Sequence, residues 1–167
     1  MGSFTARWLT LREPEDARAR ATRLTRIIAD ALPGDRSAAI VDLAAGTGSN
    51  VRFVSPFLRT PGEWLLVDHD PTLLAVARER LGDRVETRVA DLADVNTLAP
   101  VVAGRDLVTA AALLDLVSDA WLRAMLSACA VGRALVLFAL NYDGRIECTP
   151  GDADDPFVRG LVNRHQR

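Results

Sequence analysis

The feature that most constrains the fold is an alternation of short apolar runs with longer amphipathic segments, which begins at residue 38. Five runs have the length and composition of buried strands, at 38–43, 64–67, 85–89, 107–111 and 134–140. The segments between them have helical periodicity, at 49–58, 71–81, 94–102 and 119–130. Strands that alternate with helices at this spacing form a parallel sheet with helices on both faces. The sequence therefore predicts an α/β fold with a doubly wound, mostly parallel sheet.

The composition excludes several classes of function. All 20 basic residues are arginine, so the chain has no P-loop lysine, no Schiff-base lysine and no Tyr-Lys catalytic pair. The formal net charge of −2 gives no general attraction to nucleic acid. The two cysteines form no CxxC pair, and a metal site is not expected. With no apolar run of ~20 residues and no export signal, we expect a cytoplasmic protein without a membrane or nucleic-acid partner.

A glycine-rich turn joins the first predicted strand to the following helix, with the sequence DLAAGTG at 42–48. In doubly wound sheets, ligands bind beyond the carboxyl ends of the strands, near this turn. A dinucleotide fingerprint would place a third glycine where this chain has Val51. Asp42, directly before the turn, would repel a pyrophosphate and attract an ammonium or sulfonium group. The turn therefore favours a cationic cofactor over a dinucleotide.

An acid followed by spaced glycines resembles the first motif of the class I, Rossmann-like methyltransferases that use S-adenosylmethionine. Asp42 matches the acid of that motif, and Gly46 and Gly48 match its second and third glycines. Ala44 stands at the position of the first glycine, and we expect it to keep a negative φ. The resemblance implies S-adenosylmethionine as the cofactor and methyl transfer as the activity.

Two further acids follow the next two predicted strands. Asp68 lies about 20 residues after Gly48, where an acid accepts hydrogen bonds from the ribose of an adenosyl or a nicotinamide cofactor. The resemblance also implies that Asp91 accepts from the adenine amino group. Three acids at one edge of the sheet are the strongest support for a nucleoside site. The predicted cofactor-binding residues are Asp42, Ala44, Gly46, Gly48, Asn50, Asp68, His69, Asp91, Leu92 and Ala110.

The predicted acceptor side follows the fourth and fifth strands, where the resemblance puts the transferred methyl group. An Asn/Asp-Pro-Pro-Tyr motif is missing there, so methylation of a base amine or an amide is not expected. The candidate substrate contacts are Asp115 and Tyr142. No catalytic residue is indicated, because methyl transfer depends mainly on positioning and needs a base only when the acceptor must lose a proton. We expect O- or N-methylation of a small molecule.

Two other functions remain open at this point. A nicotinamide-dependent oxidoreductase would also use Asp68, although Asp42, Val51 and the missing Tyr-Lys pair speak against it. A non-catalytic module that binds S-adenosylmethionine is excluded by no feature of the sequence. Binding of the two cofactors separates the first alternative from the prediction, and turnover separates the second.

The chain divides into three predicted parts. Residues 1–36 form an N-terminal arm and a helix that starts at Glu13-Pro14 and ends before Pro33-Gly34. Residues 37–150 form the core that binds S-adenosylmethionine, and 151–167 begin an incomplete C-terminal or substrate-binding segment that starts as a helix near Phe157. An early run of arginines at 18, 20, 23 and 26 is expected to be a solvated helix face.

The number of predicted strands bears on whether the sheet is complete. The resemblance implies seven strands, whereas the sequence supplies five and an addition at 145–149 after an Asp-Gly hairpin turn. We therefore expect the final strand pair to be lacking. An apolar fifth strand left as a bare edge invites aggregation. The expectation that follows is a fragment of a longer protein, or a homo-oligomer in which a second copy covers that edge.

Overall fold

The sheet is parallel throughout and has five strands. A computed structural model describes residues 4–140 and 145–165. The strands are β1 (Ala39–Leu43), β2 (Glu63–Asp68), β3 (Val85–Val89), β4 (Leu107–Ala111) and β5 (Leu135–Ala139). Their order is β3-β2-β1-β4-β5, so the direction of winding reverses between β1 and β4. The predicted fold class is confirmed, and ligands in such sheets bind at this reversal.

Seven α-helices accompany the sheet in the described part of the chain. They are α1 (Ala6–Ala19), α2 (Thr22–Ala31), α3 (Ser49–Val54), α4 (Pro71–Leu81), α5 (Leu98–Val102), α6 (Asp119–Gly132) and α7 (Asp155–His165). Asp70 caps α4 by accepting from the backbone N–H groups of Thr72 and Leu73. None of these helices is long and apolar enough to cross a bilayer.

Each face of the sheet has its own apolar core. Successive side chains of a strand point to opposite faces. Val41 and Leu43 of β1 therefore pack with α5 and α6, in a core that contains Trp121 and Met125. Ile40 points the other way, into a core with Trp64 and with residues of α3 and α4. Asp42 lies on that second face, so a carboxyl group is directed into the sheet–helix interface.

The N-terminal helix predicted from Glu13 to residue 31 is wrong in its bounds. The side-chain oxygen of Thr5 caps α1 by accepting from the N–H of Trp8, which starts the helix before Pro14 and leaves that proline inside it. The chain then becomes extended at Arg20, with φ −72° and ψ 142°, and helix resumes at Thr22. The break directs Arg20 toward the sheet.

The strand proposed at 145–149 is also wrong, because the structure has no strand there. Tyr142 and the Asp-Gly turn that was to precede it fall at 141–144, outside the described residues. Within the described residues, β5 pairs with β4 alone. One edge of β5 is therefore open in this part of the chain.

The packing of α6 predicts a difference between two neighbouring residues. Met125 is fully buried against the sheet, whereas Leu126 is 45% exposed. Met125→Ala should lower the free energy of unfolding by about 2–5 kcal/mol, because it leaves a cavity. Leu126→Ala should change it by about 0.5 kcal/mol or less. Urea unfolding of both variants checks this, and equal losses would contradict the described orientation of α6.

Candidate functional site

The glycine-rich turn after β1 is built from residues in the left-handed region. Ala44, Gly46 and Gly48 have φ values of 51°, 54° and 78°. A Cβ on Gly48 would lie 2.6 Å from Cδ1 of Leu81, so glycine is needed there for space as well as for φ. The expectation of a negative φ at Ala44 is wrong. Alanine in this region costs roughly 1–2 kcal/mol, which the contacts of the buried turn must offset.

Backbone and carboxylate hydrogen bonds hold the turn in place. The N–H of Ala45 donates to the carbonyl of Val67 at 3.1 Å, and the N–H of Gly46 donates to Oδ2 of Asp68 at 2.8 Å. Oδ1 of Asp68 accepts from the N–H of Asp70 at 3.0 Å. Asp68 thus fastens the end of β2 to the turn. Each carboxylate oxygen has two lone pairs, so Oδ2 retains one acceptor position, whereas Oδ1 also lies 3.2 Å from Nδ1 of His69.

Asp42 is the centre of a buried polar network. Nδ2 of Asn50, in the first turn of α3, donates to Oδ1 of Asp42 at 2.7 Å and to Oγ1 of Thr109 at 2.9 Å. Thr109 in turn donates to the carbonyl of Leu137 at 2.7 Å. The network joins β1, α3, β4 and β5 at the point where the strand order reverses.

The other oxygen of Asp42 is buried without a protein partner. The residue is 1% exposed, and Oδ2 makes no hydrogen bond. Burial raises the pKa of Asp42 to about 7, although the hydrogen bond from Asn50 and the charge of Arg20 act in the opposite direction. At neutral pH this carboxyl exchanges readily between its two protonation states. It is an acceptor available to a cationic group.

Arg20 also reaches this site, although its run of arginines predicts a solvated helix face. Its NH1 donates to Oδ1 of Asn50 at 2.6 Å, while its Nε is buried without a partner. Burial lowers the pKa of Arg20, against the attraction of Asp42, Asp16 and Glu13. Nothing in the sequence marks the helix break that turns this side chain inward.

Helix α1 lies across the turn and limits the space beside Asp42. Arg52 of α3 binds Glu13 of α1 through Nε at 2.7 Å and NH2 at 2.6 Å, and its NH1 donates to the carbonyl of Thr47 at 2.8 Å. Cδ1 of Leu9 lies 3.2 Å from where a Cβ of Gly46 would be. The remaining cavity has a volume of about 80 Å³. Its lining includes Leu9, Arg12 and Arg20 on one side and Asp42, Asn50 and residues 44–47 on the other.

The predicted residues outside this cavity are dispersed. Asp91 is exposed after β3, where its Oδ1 accepts from the N–H of Ala93 at 2.9 Å. His69 is exposed, with Nδ1 3.2 Å from Oδ1 of Asp68. Asp115 is exposed in the loop before α6. The carbonyl of Leu92 accepts from Nε1 of Trp121, and Ala110 is buried in the sheet. The structure thus brings Asp42, Ala44, Gly46 and Asn50 to one cavity, with the other predicted residues around its edge or farther away.

Comparison with known families identifies the segment that carries this site. Residues 40–137 match the sequence profile of a family described as a methyltransferase domain. The match covers more than half of the chain, from β1 to β5, and includes the glycine-rich turn, the acid at the end of β2 and the acid after β3. No curated protein matches the chain in sequence.

Solved structures share the fold at low sequence identity. DhpI, solved as a complex with SAH, aligns with a TM-score of 0.55 and 22% identity over 80% of this chain and 59% of its own. An O-methyltransferase family protein from Burkholderia thailandensis gives 0.54 and 20%, over 79% and 41%. An S-adenosylmethionine-dependent methyltransferase from Clostridium acetobutylicum gives 0.52 and 16%, over 75% and 49%. This chain spans about half the length of these proteins.

The left-handed alanine predicts an unusual pair of glycine substitutions. Ala44→Gly relieves strain and loosens the unfolded chain, so the free energy of unfolding should rise by about 0–1 kcal/mol. Ala45→Gly has no strain to relieve and loses a buried methyl group, so the free energy should fall by about 1–2 kcal/mol. Chemical unfolding of the two variants measures the difference. Ala44→Gly destabilising as much as Ala45→Gly would contradict the described turn.

The buried carboxyl predicts how stability depends on pH. The pKa of Asp42 is about 7 in the folded protein, above the ordinary aspartate value of 3.8. Between these values the unfolded chain ionises while the folded protein keeps the proton, so this group lowers stability as pH rises from about 4 to about 7. Asp42→Asn should remove that fall. The melting temperatures of both proteins, measured across pH 4–8, test the prediction. A difference in melting temperature that stays constant over this pH range would contradict it.

Proposed function

Since the chain belongs to the methyltransferase domain family, we propose that it binds S-adenosylmethionine and transfers the methyl group to oxygen or nitrogen of a small molecule. The observation that carries this proposal is the unpaired oxygen of Asp42 in the cavity beside the glycine-rich turn. A buried carboxylate there attracts a positively charged ligand group and repels a phosphate. The cofactor carries an ammonium and a sulfonium group, whereas a nicotinamide dinucleotide would place a pyrophosphate at this turn.

The residues at the site fit this cofactor in other respects. Oγ1 of Thr47 is a second buried oxygen without a partner in the same cavity. Asp68 keeps a free acceptor position on Oδ2, which suits a ribose hydroxyl. Asp91 lies beyond the neighbouring strand, on the side where we place the adenine. We assign the binding role to Asp42, Thr47, Asp68 and Asp91.

Entry of the whole cofactor requires a displacement of α1. The cavity of about 80 Å³ is well below the roughly 300–1,000 Å³ of ligand pockets. Leu9 and the ion pair between Glu13 and Arg52 hold α1 over the turn. We propose that this helix moves outward when the cofactor binds, and that its return excludes water from the reacting groups.

Methyl transfer requires mainly that the chain position the cofactor and the acceptor. When bound, S-adenosylmethionine would supply an electrophilic methyl group to a lone pair of the acceptor, with the sulfonium sulfur as the leaving group. The described residues around the cavity provide orientation and a charge-complementary environment, which suit such an in-line displacement. No base is assigned among the described residues, because a base is needed only when the acceptor must lose a proton.

Binding of the cofactor should be coupled to release of a proton from Asp42. A cation beside this carboxyl lowers its pKa, so roughly half a proton should leave per ligand bound at pH 7. Calorimetry with S-adenosylmethionine in buffers of different ionisation enthalpy measures that number. Asp42→Asn should weaken binding about tenfold or more and abolish the buffer dependence. Asp119→Asn, a change in an exposed ion pair with Arg123, is the matched control and should leave both unchanged.

The same titrations decide between the proposal and its alternatives. Micromolar binding of NADH without binding of S-adenosylmethionine would overturn the proposal in favour of a nicotinamide enzyme. Cofactor binding with no methylated product from oxygen and nitrogen acceptors would favour the non-catalytic module.

A further inference from the structure

A second cavity of about 180 Å³ lies beside the first, at the carboxyl end of β5. Its walls come from α2, α3 and the end of β5, and they are mostly apolar. The large apolar residues that line it are Leu24, Phe53, Val54, Leu137, Phe138 and Leu140. A dry apolar cavity of about 150 Å³ holds one benzene ring. This cavity therefore has room for a single six-membered ring with a small substituent.

The charged group of this cavity is Arg20, which also lines the first cavity. Its guanidinium carbon lies 4.7 Å from the ring centroid of Phe53, and NH1 is bound to Asn50. Nε is buried and has no hydrogen-bond partner. A buried N–H without an acceptor carries a desolvation cost that a ligand oxygen would remove. The second cavity is thus lined by an aromatic ring and by an arginine whose Nε has no acceptor.

We infer that the second cavity binds the methyl acceptor, and that the acceptor is a single-ring aromatic acid whose carboxylate accepts from Nε of Arg20. The ring would lie between Leu24 of α2 and Phe53 of α3. The assignment of the bound acid as the methyl acceptor rests on the proposed function, whereas the binding of an anion in this cavity does not.

Charge and position favour this ligand class over a neutral one. Arginine stays protonated in proteins, so a carboxylate gains a charge-assisted hydrogen bond that a neutral amide does not. The cavity is bounded by β5, and the first cavity by the end of β4, its neighbour in the sheet. Arg20 and Asn50 line both cavities. A ligand in the second cavity therefore lies next to the space assigned to the cofactor.

The test compares an acid with its neutral counterpart. Phenylacetate and phenylacetamide are titrated into the full chain by ligand-observed NMR, with and without saturating SAH. Phenylacetate should bind about ten- to a hundredfold more tightly than the amide. Arg20→Met should remove that preference. Arg26→Met, in which the lost guanidinium is an exposed one near the ring of Phe57, should retain it.

A second variant keeps the test independent of the contact between Arg20 and Asn50. Leu24 is 55% exposed, so Leu24→Trp can fold and should fill the cavity. It should weaken both probes about tenfold and leave SAH affinity unchanged. Equal binding of acid and amide to the unaltered chain would overturn the inference. So would Arg20→Met losing SAH affinity with the acid preference intact, because Arg20 would then belong to the cofactor site.

The two proposals fail separately. A chain that binds SAH and does not distinguish phenylacetate from phenylacetamide retains the proposed function and loses this inference. A chain that prefers phenylacetate through Arg20 but binds neither SAH nor S-adenosylmethionine keeps the anion cavity and loses its assignment to a methyl acceptor.

Discussion

The burial of the Asp42 carboxyl under α3 is the constraint on which the site depends. A carboxyl group directed into a sheet–helix interface must be hydrogen-bonded or neutral. Asn50 satisfies one of its oxygens and, with the second hydrogen of the same amide, bonds Thr109 on β4. That pair of bonds fixes the first turn of α3 over the gap between β1 and β4. The unsatisfied oxygen is what makes a structural network available to a ligand.

A second constraint is the Asp68 carboxylate, which stabilises the glycine-rich turn in the absence of any ligand. Asp68 accepts from the N–H of Gly46 and from that of Asp70, so it holds the left-handed turn against the end of β2. The strain at Ala44 persists because the surrounding contacts determine the backbone there. Removing Asp68 would therefore disturb the turn as well as any ribose contact. A turn held in advance costs a ligand less ordering on binding.

The sheet could be predicted from the sequence because four of its strands are largely apolar and alternate with helical segments. The expectation of a buried strand at 85–89 is wrong, since β3 lies at the edge of the sheet and only Val85 in it is buried. The bounds of β3, β4 and α4 agree residue for residue with the predicted ones, since turn residues and the Asp70 cap delimit them. Asp42 could be predicted as a site residue from its charge beside the turn. The positive φ at Ala44 could not be predicted, because an alanine in the sequence does not indicate a backbone conformation that usually requires glycine.

The inward direction of the Arg20 side chain could not be predicted either, because it depends on tertiary structure. Its run of arginines has the spacing of a solvated helix face, and only the break after Ala19 turns the side chain inward. There Asn50 lies between two charged groups, accepting from Arg20 with its oxygen and donating to Asp42 with its nitrogen. The described contacts include no direct ion pair between Arg20 and Asp42, which would have satisfied both charges internally. The amide spacer leaves a buried acceptor oxygen on one side and a buried donor nitrogen on the other. A ligand group of opposite polarity on each side would satisfy both atoms, so the spacer would let one network serve the two adjacent cavities to which we assign ligands.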